Sequence, residues 1–211
     1  METSLLESLQ KKLQLNQNIL AVSKLQPVDK IIALAKQGQK NFGENYIQEA
    51  LDKINQLKHM NLNWHLIGPI QKNKVKFLKD NFEYIHSVDS LKLAESISLF
   101  AEKINYVQKI FIQINISNEI TKSGFNLNNF KKDWNHLKNL KNIKIIGLMT
   151  MPPLQNEPEQ SRPLFKELKN VATDYQLTEL SMGTSHDFKV ALSEGSTWIR
   201  LGTMLFGDRS K

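Results

Sequence analysis

The sequence predicts an α/β protein: a single (β/α)8 TIM barrel with an extra helix before its first strand. Three observations predict it. Short strand-like segments alternate with segments of helical apolar spacing along the whole chain, and the alternation occurs eight times if the apolar tail Met204 to Gly207 starts the eighth helix. No composition shift or low-complexity linker interrupts the 211 residues, so 1–211 reads as one domain. Strands alternating with helices build βαβ units and a parallel sheet. Eight such units in this length fit a compact barrel near the lower size limit of that fold. A doubly wound open sheet is the alternative. Its phosphate loop would be a Gly-rich turn after the first strand, and here that turn is Ser23-Lys24-Leu25-Gln26-Pro27, without glycine.

The elements follow in order. Leu5, Leu6, Leu9 and Leu13 share one helical face within 4–14, the extra helix. The apolar run Ile19 to Val22 is the first strand. Val28, Ile31, Ile32 and Ala35 space a helix that Gly38 stops. Strand 40–43 leads to helix 45–57, strand 63–67 to helix 71–78, and strand 84–88 to a helix capped by Ser90. The Ile-rich run 107–116 is a strong strand, followed by helix 127–140. Strand 143–149 is closed by Pro152-Pro153 and followed by helix 164–175, with Pro163 in its first turn, where proline is tolerated. Strand 179–182 ends at Gly183, helix 186–193 at Gly195, and the last strand, 198–201, at Gly202.

Composition excludes several classes. Hydrophobic residues are 40% and charged residues 23%, ordinary for a globular protein, and no apolar run approaches the roughly 18 residues of a membrane span. Met1-Glu2-Thr3-Ser4 has no basic region of the secretory kind. With no cysteine, disulfides, zinc–thiolate sites and thiol nucleophiles are out, and the cytoplasm is the expected location. The net charge of +7 admits an anionic partner. Lys72, Lys74, Lys76 and Lys79 lack interleaved aromatic motifs, however, and read as a solvated helix face rather than a nucleic-acid footprint.

In a barrel the chemistry sits where strands end at the C-terminal face. Lys24 ends the first strand. Burial there would lower its pKa and make it a nucleophile; the alternative is a lysine whose amine reaches back to water. The loops after strands 7 and 8, Met182 to His186 and Leu201 to Thr203, hold the habitual phosphate site of such barrels. Their glycines admit an anion to the backbone, and Ser185 offers a hydroxyl at a helix start. Either loop alone reads as a turn with Ser185 as a helix cap; the pair favours phosphate. Contiguous Ser185-His186-Asp187 is no hydrolase triad. His59, His65, His86, His136 and His186 show no metal-ligand spacing and read as core or surface residues.

These residues carry a resemblance. Ala-Val-Ser-Lys at 21–24, Phe-Gly-Glu-Asn-Tyr at 42–46, Trp-His-Leu-Ile-Gly-Pro at 64–69 and Ile-His-Ser-Val-Asp at 85–89 match one family in order. So do Lys-Ser-Gly at 122–124, Gly-Leu-Met-Thr-Met at 147–151, Leu-Ser-Met-Gly at 180–183 and the run Glu194 to Gly207. The chain resembles the pyridoxal phosphate homeostasis proteins, which are similar to the N-terminal barrel of alanine racemase. It departs at Leu25-Gln26, where the family often has Thr-Lys, and at Thr184, often Met.

The resemblance implies pyridoxal 5′-phosphate as cofactor, held as a Schiff base on Lys24. It implies that Ser185 and the backbone N–H groups of Gly202 and Thr203 hold the phosphate, that Arg200 faces the pyridine nitrogen or the phosphate, and that Asn45 and Met149 line the ring. Pyridoxal phosphate is a strong electron sink when its ring nitrogen is protonated; an arginine, always a donor, does not deliver that proton. Alanine racemases add a tyrosine from a further domain, which this chain is expected to lack. The expectation is therefore a monomeric cofactor-buffering or cofactor-delivering protein with no catalytic residues and no metal, its partners being apo-enzymes that use the cofactor. An alanine-racemase-like enzyme acting on amino acids is the alternative. Lys122, in the loop after strand 5, is either a second amine able to accept the aldehyde or a solvated loop residue.

Overall fold

A computed structural model describes residues 4–79, 81–117, 119, 122–153 and 157–207; Met1 to Thr3, read above, lie outside them. Eight parallel strands close into a barrel in sequence order: β1 (Asn18–Val22), β2 (Asn41–Glu44), β3 (Asn63–Leu66), β4 (Tyr84–Val88), β5 (Gln108–Gln113), β6 (Ile143–Met149), β7 (Glu179–Thr184) and β8 (Trp198–Leu201). β8 pairs with β1 in the register Leu20↔Arg200, which closes the ring. Around it stand α2 (Val28–Lys36), α3 (Ile47–Gln56), α4 (Leu91–Lys103), α5 (Leu127–Leu137), α6 (Arg162–Asp174), α7 (Phe188–Ser193) and α8 (Thr203–Phe206), with the short α1 (Leu5–Gln10) ahead of β1. The extra N-terminal helix is present but ends earlier than its apolar spacing suggests. Ser4 caps it by accepting from Glu7 N–H at 3.2 Å, and Leu6 alone among its residues is fully buried.

Strand alternation splits the core in two. Outward-facing Ile19, Ala21, Phe42, Leu66, Ile110, Leu180 and Ile199 pack under the helices in one large apolar cluster. Inward-facing Leu20, Ile67, Phe111, Met149 and Trp198, with Val22, Tyr84 and Ile146 beside them, form a separate cluster inside the barrel. Four polar inward residues, His65, His86, Ser181 and Arg200, are buried there as well.

Several elements differ from the sequence expectation. The segment after β3 is a 3-10 helix over Lys72–Phe77 rather than an α-helix, and only Val75 of its residues is buried. One apolar anchor does not secure a full α-helical turn on the barrel. The strong run at 107–116 narrows to β5, because from Ile114, whose N–H still donates to the Met149 carbonyl at 2.8 Å, the chain bridges Phe125 instead of continuing the ladder. β7 runs on through Gly183 to Thr184. The C-terminal tail does form the eighth helix, tied down by buried Phe206 and by Lys30 Nζ donating to the Phe206 carbonyl at 2.9 Å. No described helix is long and apolar enough to cross a membrane.

Candidate functional site

All seven residues expected at the site stand at the C-terminal mouth of the barrel or just beneath it. Lys24 follows β1 by two residues, on the inward phase of Leu20 and Val22, and is half-buried. Its turn is held from outside by α3. Lys53 Nζ donates to the Ser23 carbonyl at 2.7 Å and to Glu44 Oε1 and Glu49 Oε1 at 2.8 and 2.6 Å. Glu49 Oε1 also accepts from Leu25 N–H at 2.6 Å, and Glu44 Oε1 accepts from Ser23 Oγ at 2.7 Å. Both peptide groups flanking Lys24 are thereby fixed, and Leu25 is held at φ 59°, a left-handed conformation costly for a residue with a Cβ. Glu44 lies between sheet and helix with no exposed surface, and its Oε2 has no partner among the described residues. Burial pushes its carboxyl above the usual range, against the opposing pull of the Lys53 and Ser23 hydrogen bonds.

Asn45 follows β2. Gly68, after β3, presses against its backbone: a Cβ at Gly68 would meet the Asn45 carbonyl oxygen at 2.1 Å. Asn45 Oδ1 is buried and unpartnered among the described residues, an acceptor open to a ligand donor. Met149 ends β6 with no exposed surface, in the interior cluster that floors the mouth.

The β7 and β8 loops meet as the sequence suggests, with one difference. Ser185 does not cap α7; Asp187 stands there, its Oδ1 accepting from Thr184 N–H at 2.7 Å and Thr184 Oγ1 at 3.0 Å. Ser185 Oγ instead accepts from Gly202 N–H at 3.2 Å, joining the two loops where α8 begins. Ser185 and Gly202 are half-buried and Thr203 is exposed. Gly183 makes the approach possible: its φ is +90°, and an added Cβ would meet Ala191 Cβ at 2.4 Å.

Arg200 is 4% exposed on the inner wall. Nη1 donates to Ser181 Oγ at 2.9 Å and Nη2 to the Thr150 carbonyl at 2.8 Å. Burial pulls its pKa down to about 10, which leaves it protonated at neutral pH, and Asp187 offsets part of that shift. Behind it lie residues that sequence reading left without a role: Ser181, His86 and His65, linked by hydrogen bonds. In the sequence they show only as members of the family motifs and by the inward phase they share with Tyr84 and Phe111. Lys122, at the rim, is ion-paired with Glu119 at 2.9 Å. Among the described residues no three His, Asp or Glu side chains gather in a metal-binding arrangement. An open cavity of about 830 Å3 lies at the opposite end of the barrel, but its Lys109 and Glu179 are already engaged, by Glu83 and by Trp198 and Thr197.

The alanine racemase N-terminal domain model matches residues 5–210. The pyridoxal phosphate homeostasis protein of Aquifex aeolicus is 43% identical over 197 residues, 90% of this chain and 86% of that one. The chain belongs to the pyridoxal phosphate homeostasis protein family. Among solved structures of the same fold, PipY of Synechococcus elongatus PCC7942, with PLP bound, superposes with a TM-score of 0.90 at 36% identity, covering 96% of this chain and 98% of that one. The alanine racemase of Clostridium difficile 630 shares the barrel at a TM-score of 0.78 and 15% identity. That match covers 98% of this chain and 55% of the racemase, and it shows the fold alone.

Proposed function

We propose that this chain, as one domain over 1–211, binds pyridoxal 5′-phosphate at the C-terminal mouth and buffers or delivers it in the cytoplasm without turnover of its own. The observation that carries the reading is the convergence at one mouth of the clamped Lys24 turn, the buried Arg200 and the joined Ser185–Gly202 loops. The family name and the PipY structure with PLP bound support it. The residues fit the group: Lys24 supplies an amine for its aldehyde as a Schiff base, Ser185, Gly202 and Thr203 supply donors for its phosphate, and Arg200 supplies a donor for the ring nitrogen or phosphate. Asn45, which follows β2 at the same mouth, adds a buried acceptor in its Oδ1, and Met149 lies in the interior cluster beneath.

Bound pyridoxal phosphate supplies an electrophilic aldehyde and a ring whose strength as an electron sink depends on protonation of its nitrogen. Arg200 holds its proton and only donates, so a nitrogen facing it stays an acceptor and the sink stays weak. A monomer handing the cofactor to apo-enzymes is the working form we assign.

Absorption spectroscopy with added pyridoxal phosphate tests the reading. A visible imine band that survives dialysis is expected, together with no racemisation of alanine or serine. Amino-acid turnover that disappears in Lys24→Ala would favour the racemase-like alternative.

A further inference from the structure

Four polar side chains lie in line through the barrel interior. Arg200 Nη1 is 2.9 Å from Ser181 Oγ, Ser181 Oγ is 2.8 Å from His86 Nδ1, and His86 Nε2 is 3.0 Å from His65 Nδ1. Ser181, His86 and His65 have no exposed surface. Phe111 stacks on His86 at 4.2 Å, and Tyr84 and Trp198 lie 4.7 and 4.8 Å from His65, closing the line off from the far end of the barrel.

One direction of the line leaves fewer buried groups unsatisfied than the other. A guanidinium has donors and no acceptor, so Ser181 Oγ accepts from Arg200. Among the described residues the Ser181 hydroxyl proton has one acceptor, His86 Nδ1. A neutral imidazole carries one N–H. His86 therefore holds it on Nε2 and donates to His65 Nδ1, and His65 keeps its own on Nε2, an atom without a partner among the described residues. The reverse direction would leave two buried groups unsatisfied, the Ser181 proton and the lone pair of His65 Nε2, where the direction given leaves only the His65 Nε2–H. Burial disfavours the imidazolium form of both rings, and His65 is brought down to about 3.

We propose that Ser181, His86 and His65 are positioning residues that lock the Arg200 guanidinium in one orientation and so set the donor it presents to a bound pyridoxal phosphate. The proposal rests on the cofactor reading above for its ligand, but the direction of the line does not.

Two-bond ¹H–¹⁵N spectra of cofactor-free protein read the tautomers directly. Both His65 and His86 are expected as neutral Nε2–H rings; an Nδ1–H tautomer or an imidazolium at either ring overturns the proposal. In loaded protein, Ser181→Ala and His86→Leu are expected to release pyridoxal phosphate roughly three- to tenfold faster on dilution, the loss of about one hydrogen bond's worth of orientation. The imine band at Lys24 is expected to remain. His86→Asn, whose amide oxygen replaces the Nδ1 acceptor, is expected to restore the parent rate. Unchanged release from Ser181→Ala, with its thermal midpoint near that of the parent, overturns the positioning role. A parent protein that takes up no pyridoxal phosphate overturns the cofactor reading and the purpose assigned to the line, while the tautomers still decide its direction.

Discussion

A lysine and an arginine at the ends of neighbouring strands are conspicuous in a sequence because neither belongs in a barrel core unpaired. Lys24 stands out for that reason and Arg200 through the family resemblance, and the register Leu20↔Arg200 brings their strands together. The groups that orient Arg200 were not legible. Ser181 and His86 are 95 residues apart and meet only because β4 and β7 both turn alternate side chains inward. Arg200→Lys keeps the charge but loses the fork that bonds Ser181 Oγ and the Thr150 carbonyl together. It is expected to cost about 1–3 kcal/mol in urea unfolding and to weaken cofactor retention on dialysis. His65 yields a pH dependence. Its pKa is about 3 folded against 6.5 in an unfolded chain, so between these values the unfolded state binds more protons. Stability falls as pH drops below 6.5, by about 2 kcal/mol between pH 7 and pH 5 for this ring. Urea midpoints across that range should show a shallower slope in His65→Gln than in the parent.

Elements were read well where apolar periodicity was continuous and less well where hydrogen bonding decides the outcome. The eight strands follow from short runs between helical segments, β-branched in β5 and β6 and marked in β2, β3 and β8 by aromatic residues and glycine exits. The 3-10 character of Lys72–Phe77, the departure of Ile114 from β5 and the seating of Ser185 on Gly202 are set by tertiary contacts that no periodicity encodes. The support that α3 gives the Lys24 turn was equally hidden, since Lys53 looks like one more surface lysine of a basic chain. Lys53→Ala is expected to cost about 3–5 kcal/mol, because it leaves Glu44 buried without its cation. Glu44 has a raised folded pKa, so its folded state binds the extra proton, and the loss should grow as pH rises through its titration; chemical denaturation at two pH values measures it. Gly183→Ala combines a φ of +90° with a Cβ only 2.4 Å from Ala191 Cβ. It is expected to cost about 2 kcal/mol or more, to displace α7, and to loosen phosphate retention at Ser185 in an equilibrium-dialysis assay.

At the scale of the whole molecule, the closed barrel places loops 1, 2, 7 and 8 on one rim, and every proposed cofactor contact except Met149 comes from that arc or from the wall beneath it. Strand order and strand ends sufficed to predict the rim, because a parallel barrel puts all its C-terminal strand ends together. The polar filling of the interior, with two neutral histidines supporting an arginine, needed the structure. The central claim is that Lys24 anchors the cofactor, and borohydride reduction of the loaded protein followed by peptide mass mapping tests it most directly. A single pyridoxyl adduct on the peptide carrying Lys24, absent in a folded Lys24→Ala protein, is the predicted result; an adduct confined to another lysine, such as Lys122 or Lys53, would contradict it.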